Sequence, residues 1–202
     1  MAFDVFRMAT APATDKMSRR SVALRLLQER KVFLARDVKP ASANRLLAQL
    51  MFLEADNPEK PVELFINSPG GEVSSGLAIY DLLRMVKCPV HTVSAGLTAS
   101  IATIILVGGT KGKRFAWPNS RILIHQPLGG VRGQATDVEI HAREILKIKD
   151  KVNQILADHT GQPVKKIEKD TNRDFWMSSG EAKEYGIVDT VLPYVRDNTP
   201  GA

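Results

Sequence analysis

Residues 62–109 read VELFINSPGGEVSSGLAIYDLLRMVKCPVHTVSAGLTASIATIILVGG. An apolar run of strand length, VELFIN (62–67), meets the breaker SPGG, and SSGLAIYDLLRMVK (74–87) then repeats its apolar residues at helical spacing. The order recurs at once, with PVHTVSAG (89–96) as a strand and ASIATIILVG (99–108) as a helix. Two successive strand–turn–helix units call for parallel strands joined by right-handed crossovers, so this stretch sets the fold class as α/β.

Outward from it the pattern holds. KVFLARDV (31–38) reads as a strand, ASANRLLAQLMFLEAD (41–56) as an amphipathic helix ended by Asn57 and Pro58, and RILIH (121–125) as a further strand. After His125 the rhythm changes. QPLGGVRGQAT is glycine-rich and irregular, and Thr136 with Glu139 forms a capping box expected to open a helix of about 24 residues that ends near Gly161. Ile140, Ile145, Ile148, Val152, Ile155 and Leu156 recur along it at three- and four-residue spacing. Such a face either docks on its own sheet or protrudes and packs on another subunit. Ser178 and Glu181 repeat the capping-box signature before a short helix, and GIVDTVL (186–192) closes as a strand.

The 202 residues, 44% of them hydrophobic, suffice for one domain with a sizeable core. Cys88 is the single cysteine, which rules out an intrachain disulfide or a cysteine cluster for zinc and favours a reducing, cytoplasmic compartment. The N-terminal stretch lacks the apolar core of a signal peptide, and no run of 18 apolar residues occurs, so no membrane partner is expected. The net charge of +6 lies entirely in residues 1–45, which hold ten Lys/Arg against four Asp/Glu, while the remainder balances. No aromatic platform or helix-turn-helix pattern accompanies that basic segment, so no nucleic-acid partner is expected either.

Chemistry gathers at the strand ends. In a parallel sheet, ligand sites lie where strands end and helix N-termini present unpaired N–H groups. Ser100 occupies such a position, amid small residues that let a substrate backbone approach, and is placed as a nucleophile. It needs a base. Of the four histidines, His125 ends a strand on the same sheet edge, whereas His91 reads as a core or interface residue and His141 and His159 as solvated or helix-end residues. Gly70 and Gly71, at the other strand–helix junction, allow close backbone approach and can supply the second half of an oxyanion site. Trp117 and Trp176 read as packing anchors, Met51, Met85 and Met177 as core filling, and Cys88 as unreactive.

FINSPGGEVSSGLAIYD, AGLTASIATIIL, GKRFAWPNSRILIHQPLGG, GQATDVEIHAREIL and DTNRDFWMSSGEAKEYGIVD together resemble, in order, the ClpP family of proteolytic subunits of the ATP-dependent caseinolytic (Clp) proteases. The resemblance covers roughly residues 22–192 and implies the ClpP/crotonase fold, with repeated βαβ units and a long protruding handle over residues 126–160. It implies a serine endopeptidase with Ser100 as nucleophile, His125 as base, Asp174 as acid, and the N–H groups of Gly71 and Ile101 as oxyanion hole. It further implies a homo-oligomer of two stacked heptamers or mixed rings with a paralogue, fed unfolded polypeptide by a hexameric AAA+ Clp unfoldase. No cofactor or metal is implied in this subunit, since ATP is used by the unfoldase. Around the domain, residues 1–21 are expected as a basic segment near the axial pore and 194–202 as a tail.

Two positions and one segment depart from the family pattern. Glu63 stands where an aromatic commonly lines the unfoldase pocket, Asn172 where an acidic residue often helps pair the rings, and MATAPATDKMSRRS replaces the usual N-terminal segment. Two other readings stay open. One is a weakly active or structural ring subunit that needs a paralogue; the other is a crotonase-type acyl-CoA enzyme, which shares the fold without the serine triad.

Overall fold

The computed structural model describes residues 19–128, 130 and 132–194, so most of the expected basic segment and of the C-terminal tail lie outside the described residues, as do Gly129 and Val131 of the expected handle. Seven strands and seven helices are formed among these residues. Helix α1 (Arg19–Gln28) leads into β1 (Lys31–Leu34), α2 (Pro40–Asp56), β2 (Val62–Ser68), α3 (Val73–Met85), β3 (Val90–Ala99) and α4 (Ile101–Val107). There follow β4 (Arg114–Ala116), β5 (Arg121–Ile124), α5 (Ala135–Thr160), α6 (Val164–Thr171), β6 (Phe175–Ser178), α7 (Ser179–Tyr185) and β7 (Thr190–Val191).

The strands form one mixed sheet in which β1, β2, β3, β4 and β7 lie side by side and parallel. β3 forks the sheet. Residues 92–94 pair with β4, whereas residues 97–99 pair with β5, which in turn pairs antiparallel with β6. The fork sits at Gly96, whose φ of 119° suits glycine and whose neighbour Leu97 donates its N–H to the Asn67 side chain of β2 at 3.0 Å. The pairing of β2 with β3 shifts register at the same place. β3 therefore continues through Gly96, where the sequence pattern ends it, and delivers Ser100 about a turn of chain further on.

Side-chain alternation sorts the sheet into two faces. Val62, Leu64 and Ile66 of β2 enter the main core with Leu46, Leu50 and Leu53 of α2, Ile79 and Leu83 of α3, and the whole of α4. Every residue of α4 is buried, which makes it a central helix and accounts for its lack of polar residues beyond Thr103. The opposite face carries Phe65, Val93, Phe115 and Leu192, with the half-exposed Phe33 stacked on Phe65 at 5.0 Å.

Helix α5 divides into two halves. Val152, Ile155, Leu156 and Ala157 are buried and Ile148 packs against the core, whereas residues 135–144 are exposed throughout. The C-terminal half of its apolar face therefore docks on the chain's own core, as one expectation had it, and the N-terminal half projects from it. The helix begins at Ala135 with Gln134 as N-cap, so Thr136 lies inside the first turn and its expected capping box is not formed. The second capping box is present, with Ser178 and Glu181 exchanging bonds of 2.7 and 3.3 Å. Two further expectations give way. Met51 and Met85 are exposed rather than core residues, only Met177 being buried, and the closing strand is confined to residues 190–191. No helix among the described residues is long and apolar enough to cross a membrane.

Candidate active site

Strand register places the candidate residues in a row. β3 ends with Ala99 opposite Leu123 of β5, and Ile124 of β5 lies opposite Phe175 of β6. One residue beyond each pairing stand Ser100, His125 and Asp174, on three adjacent strands. Ser100 donates its backbone N–H to Leu123 O at 3.0 Å, which fixes it beside the end of β5. The Ser100 hydroxyl donates to His125 Nε2 at 2.8 Å, and His125 Nδ1–H donates to Asp174 Oδ1 at 3.1 Å. The His125 side chain is largely enclosed, while the Asp174 carboxylate is 62% exposed.

Ser100 is the N-cap of α4 and has φ 59° and ψ −129°, a backbone conformation that non-glycine residues rarely adopt. Such strain costs on the order of 1–3 kcal/mol and persists only where the surroundings over-determine it. They do so here. Thr103 Oγ1 donates to Leu123 O at 2.8 Å, and Thr103 N–H to Ser100 O at 2.9 Å, pinning the first turn of α4 to β5.

The SPGG turn closes against the same point. Val38 N–H donates to Gly70 O and Glu72 N–H to Val38 O, each at 2.8 Å, so the chain at Gly71 runs parallel beside Val38. In such pairing the backbone groups of Gly71 point away from Val38. A Cβ on Gly70 would lie 2.7 Å from Ser100 Cβ and 3.3 Å from Ile101 N; one on Gly71 would lie 2.2 Å from Val38 O. Both sites therefore demand glycine, and the turn abuts the N-terminus of α4. Ile101, first residue of that helix, has an N–H without an intrahelical acceptor. An anion forming at Ser100 would meet donors from both sides.

A cavity of about 20 Å³ adjoins Ser100 and His125, walled by Val73, Ile104, Ile124, Pro127, Val152 and Leu156. Its walls are apolar, and two of them belong to α5. A larger cleft of about 350 Å³ lies between α1, β1 and α2 and includes neither Ser100 nor His125. Among the described residues, no group of three or more His, Cys, Asp and Glu is arranged as a metal site.

The other histidines stand elsewhere. His91 sits in β3, edge-on to Phe115, and burial holds its pKa below the usual value. His141 is exposed. His159 is half-buried rather than solvated, with Nε2 bonded to the Tyr80 hydroxyl at 2.8 Å; burial, reinforced by Arg84 and Arg114, lowers its pKa to about 4. Burial likewise pushes the Cys88 thiol up, away from the thiolate form.

What the arrangement can do chemically is activate a hydroxyl for attack on an acyl carbon, beside a glycine turn and a helix start whose N–H groups suit an oxyanion. A family model described as Clp protease matches residues 14–194, a span that contains all of these groups.

Proposed function

The chain belongs to the Clp protease family, and from that premise we propose that it is the serine endopeptidase subunit of a Clp protease, with Ser100, His125 and Asp174 as its triad. The observation that carries the reading is the continuous hydrogen-bonded row from Ser100 through His125 to Asp174. His125 takes the Ser100 proton as Oγ attacks the scissile carbonyl, and Asp174 holds the imidazole tautomer and the imidazolium that forms. The N–H groups of Gly71 and Ile101 receive the oxyanion. The imidazolium then protonates the leaving amine, and water, activated by the same His125, hydrolyses the acyl-enzyme.

The chemistry as proposed uses no cofactor in this subunit; ATP is consumed by a hexameric AAA+ unfoldase that delivers unfolded polypeptide. Two stacked seven-membered rings, homomeric or mixed with a paralogue, are the proposed assembly. The exposure of Asp174 and of the first half of α5 favours a second reading, in which the triad becomes competent only within the assembled or mixed particle.

Fluorophosphonate labelling of the purified chain, with intact mass and particle mass read on one sample and Ser100→Ala as control, tests both. Label on Ser100 in a double-ring particle supports a self-sufficient chambered peptidase. Label that forms only after a second ClpP-type chain is added supports the mixed-ring reading. Absence of label under both conditions overturns the assignment of Ser100 as nucleophile.

A further inference from the structure

Asp174 is held by very little of its own. Its carboxylate is 62% exposed, and it stands three residues beyond α6, where the chain turns into β6. The last carbonyls of a helix have no intrahelical donor, and unless something else engages them the final turn frays. At the end of α6, the carbonyls of the last residue and of the C-cap are taken by one residue. Gln126 donates its backbone N–H to Thr171 O at 2.6 Å and its side-chain amide Nε2 to Asn172 O at 3.0 Å. Because the partner is a carbonyl, the NH₂ end of the amide must face it.

Gln126 directly follows His125. One residue pair thus spans both sides of the triad's histidine–aspartate contact: His125 touches Asp174 by its ring, and Gln126 grips the backbone from which Asp174 projects. The turn's other anchor lies on α5, where the Thr171 hydroxyl meets Asn153 Oδ1 at 3.1 Å. That anchor secures the end of α6, whereas the Gln126 side chain reaches one residue closer to Asp174.

We propose that Gln126 is a positioning residue, whose side-chain amide fixes the α6–β6 turn so that Asp174 stays against His125; the inference rests on the serine-peptidase reading above. The side chain acts through the turn and does not touch the reacting atoms. Removing it leaves the nucleophile, base and cleft in place but lets the acid move.

The test compares the assembled wild-type chain with Gln126→Ala, Gln126→Glu, Gln126→Lys and Gln162→Ala. Glutamate keeps the size of glutamine without its donor, and lysine restores a donor at a helix C-terminus, where a cation is favourable. Gln162 makes an equivalent amide-to-carbonyl bond to Tyr185 O at 3.1 Å, away from the triad. With a fluorogenic peptide, Gln126→Ala and Gln126→Glu are expected to lose about ten-fold in kcat at unchanged KM, short of the ~100-fold that a 1 Å misplacement can cost. Gln126→Lys is expected to recover part of that loss, and Gln162→Ala to match wild type. Crystal structures of the wild-type and Gln126→Ala chains provide a second readout, in which the His125 Nδ1 to Asp174 Oδ1 contact is expected to open. Unchanged kcat in Gln126→Ala, or an unchanged triad contact in its crystal structure, overturns the proposal. If the wild-type chain neither cleaves nor labels, alone or with a second ClpP-type chain, the peptidase reading fails, and the crystallographic comparison still decides the role of Gln126.

Discussion

Glu63 sits on the aromatic face of the sheet with Oε2 buried and unpartnered. Burial pushes its carboxyl above the usual glutamate range; Lys31 counters this, but its ammonium is paired with Glu29 at 3.5 Å, and Glu29 itself adds repulsion. An acid whose pKa is raised in the folded state binds its proton more tightly there, so ionisation works against folding. The penalty is absent below the ordinary value of 4.5, grows as pH rises from there to the raised value, and persists above it. Glu63→Gln, which keeps the shape and removes the charge, is therefore expected to raise the melting temperature at pH 7. That gain should vanish at pH 4 in matched thermal scans. An equal gain at both values would place its origin outside the carboxylate's ionisation. This residue also bears on partners, because an apolar loop docking against Phe33 and Phe65 must either satisfy Oε2 with a donor or bury the charge further.

Among the elements, β4 carries a charge inside the core. Arg114 is 5% exposed, and Asp189, ahead of β7, accepts its backbone N–H at 2.9 Å, its Nε at 3.0 Å and its Nη2 at 2.5 Å. Burial pushes the Asp189 carboxyl up, but the hydrogen bonds and charge of Arg114 outweigh it and leave the pKa below the ordinary value. Asp189 therefore contributes stability above that value and loses it as pH falls through the lowered one. Asp189→Asn strands a buried guanidinium and is expected to cost about 3 kcal/mol at neutral pH, the low end for a broken buried pair because Asp189 keeps some exposure. Urea unfolding measures this. The same pair helps explain why β4 is illegible locally: a three-residue strand with a charged member is permitted by residues far along the chain, Asp189 at 75 positions and the His159 carbonyl at 45. Similarly, α6 is mostly charged and buries just Ile167 and Thr171, so it shows little apolar pattern, and α5 starts without a side-chain cap two residues ahead of the expected start, although it ends at Gly161 as expected. The parallel half of the sheet was legible because apolar runs and breakers alternate there. Ser100 and His125 could be found as strand ends for the same reason. Asp174 came through resemblance alone, since its place depends on the antiparallel β5–β6 ladder, and FWMS, with Trp176 exposed beside Arg121 at 5.9 Å, carries no strand pattern of its own.

For the whole molecule, the exposed first half of α5 presents Val138, Ile140 and Leu146 to solvent, 36%, 57% and 58% exposed. If that half carries the ring-to-ring contact proposed above, Ile140→Asp paired with Leu146→Asp is expected to reduce a double ring to single rings in sedimentation while leaving the circular dichroism of the subunit unchanged. Retention of the double ring would place the contact elsewhere. The buried half of the same helix walls the cavity beside Ser100, so one helix carries both that exposed apolar face and a wall of the cavity. Total folding stability of a domain is only about 5–15 kcal/mol, and the backbone of Ser100 gives up a visible share of it. Ser100→Gly is therefore expected to melt several degrees above wild type, whereas Ser100→Ala, with its Cβ retained in the same strained conformation, gains nothing comparable. Differential scanning calorimetry of the two variants separates the effects. A copy of this gene freed of any need for the Ser100 side chain would thus gain stability by exchanging it for glycine, though not for alanine.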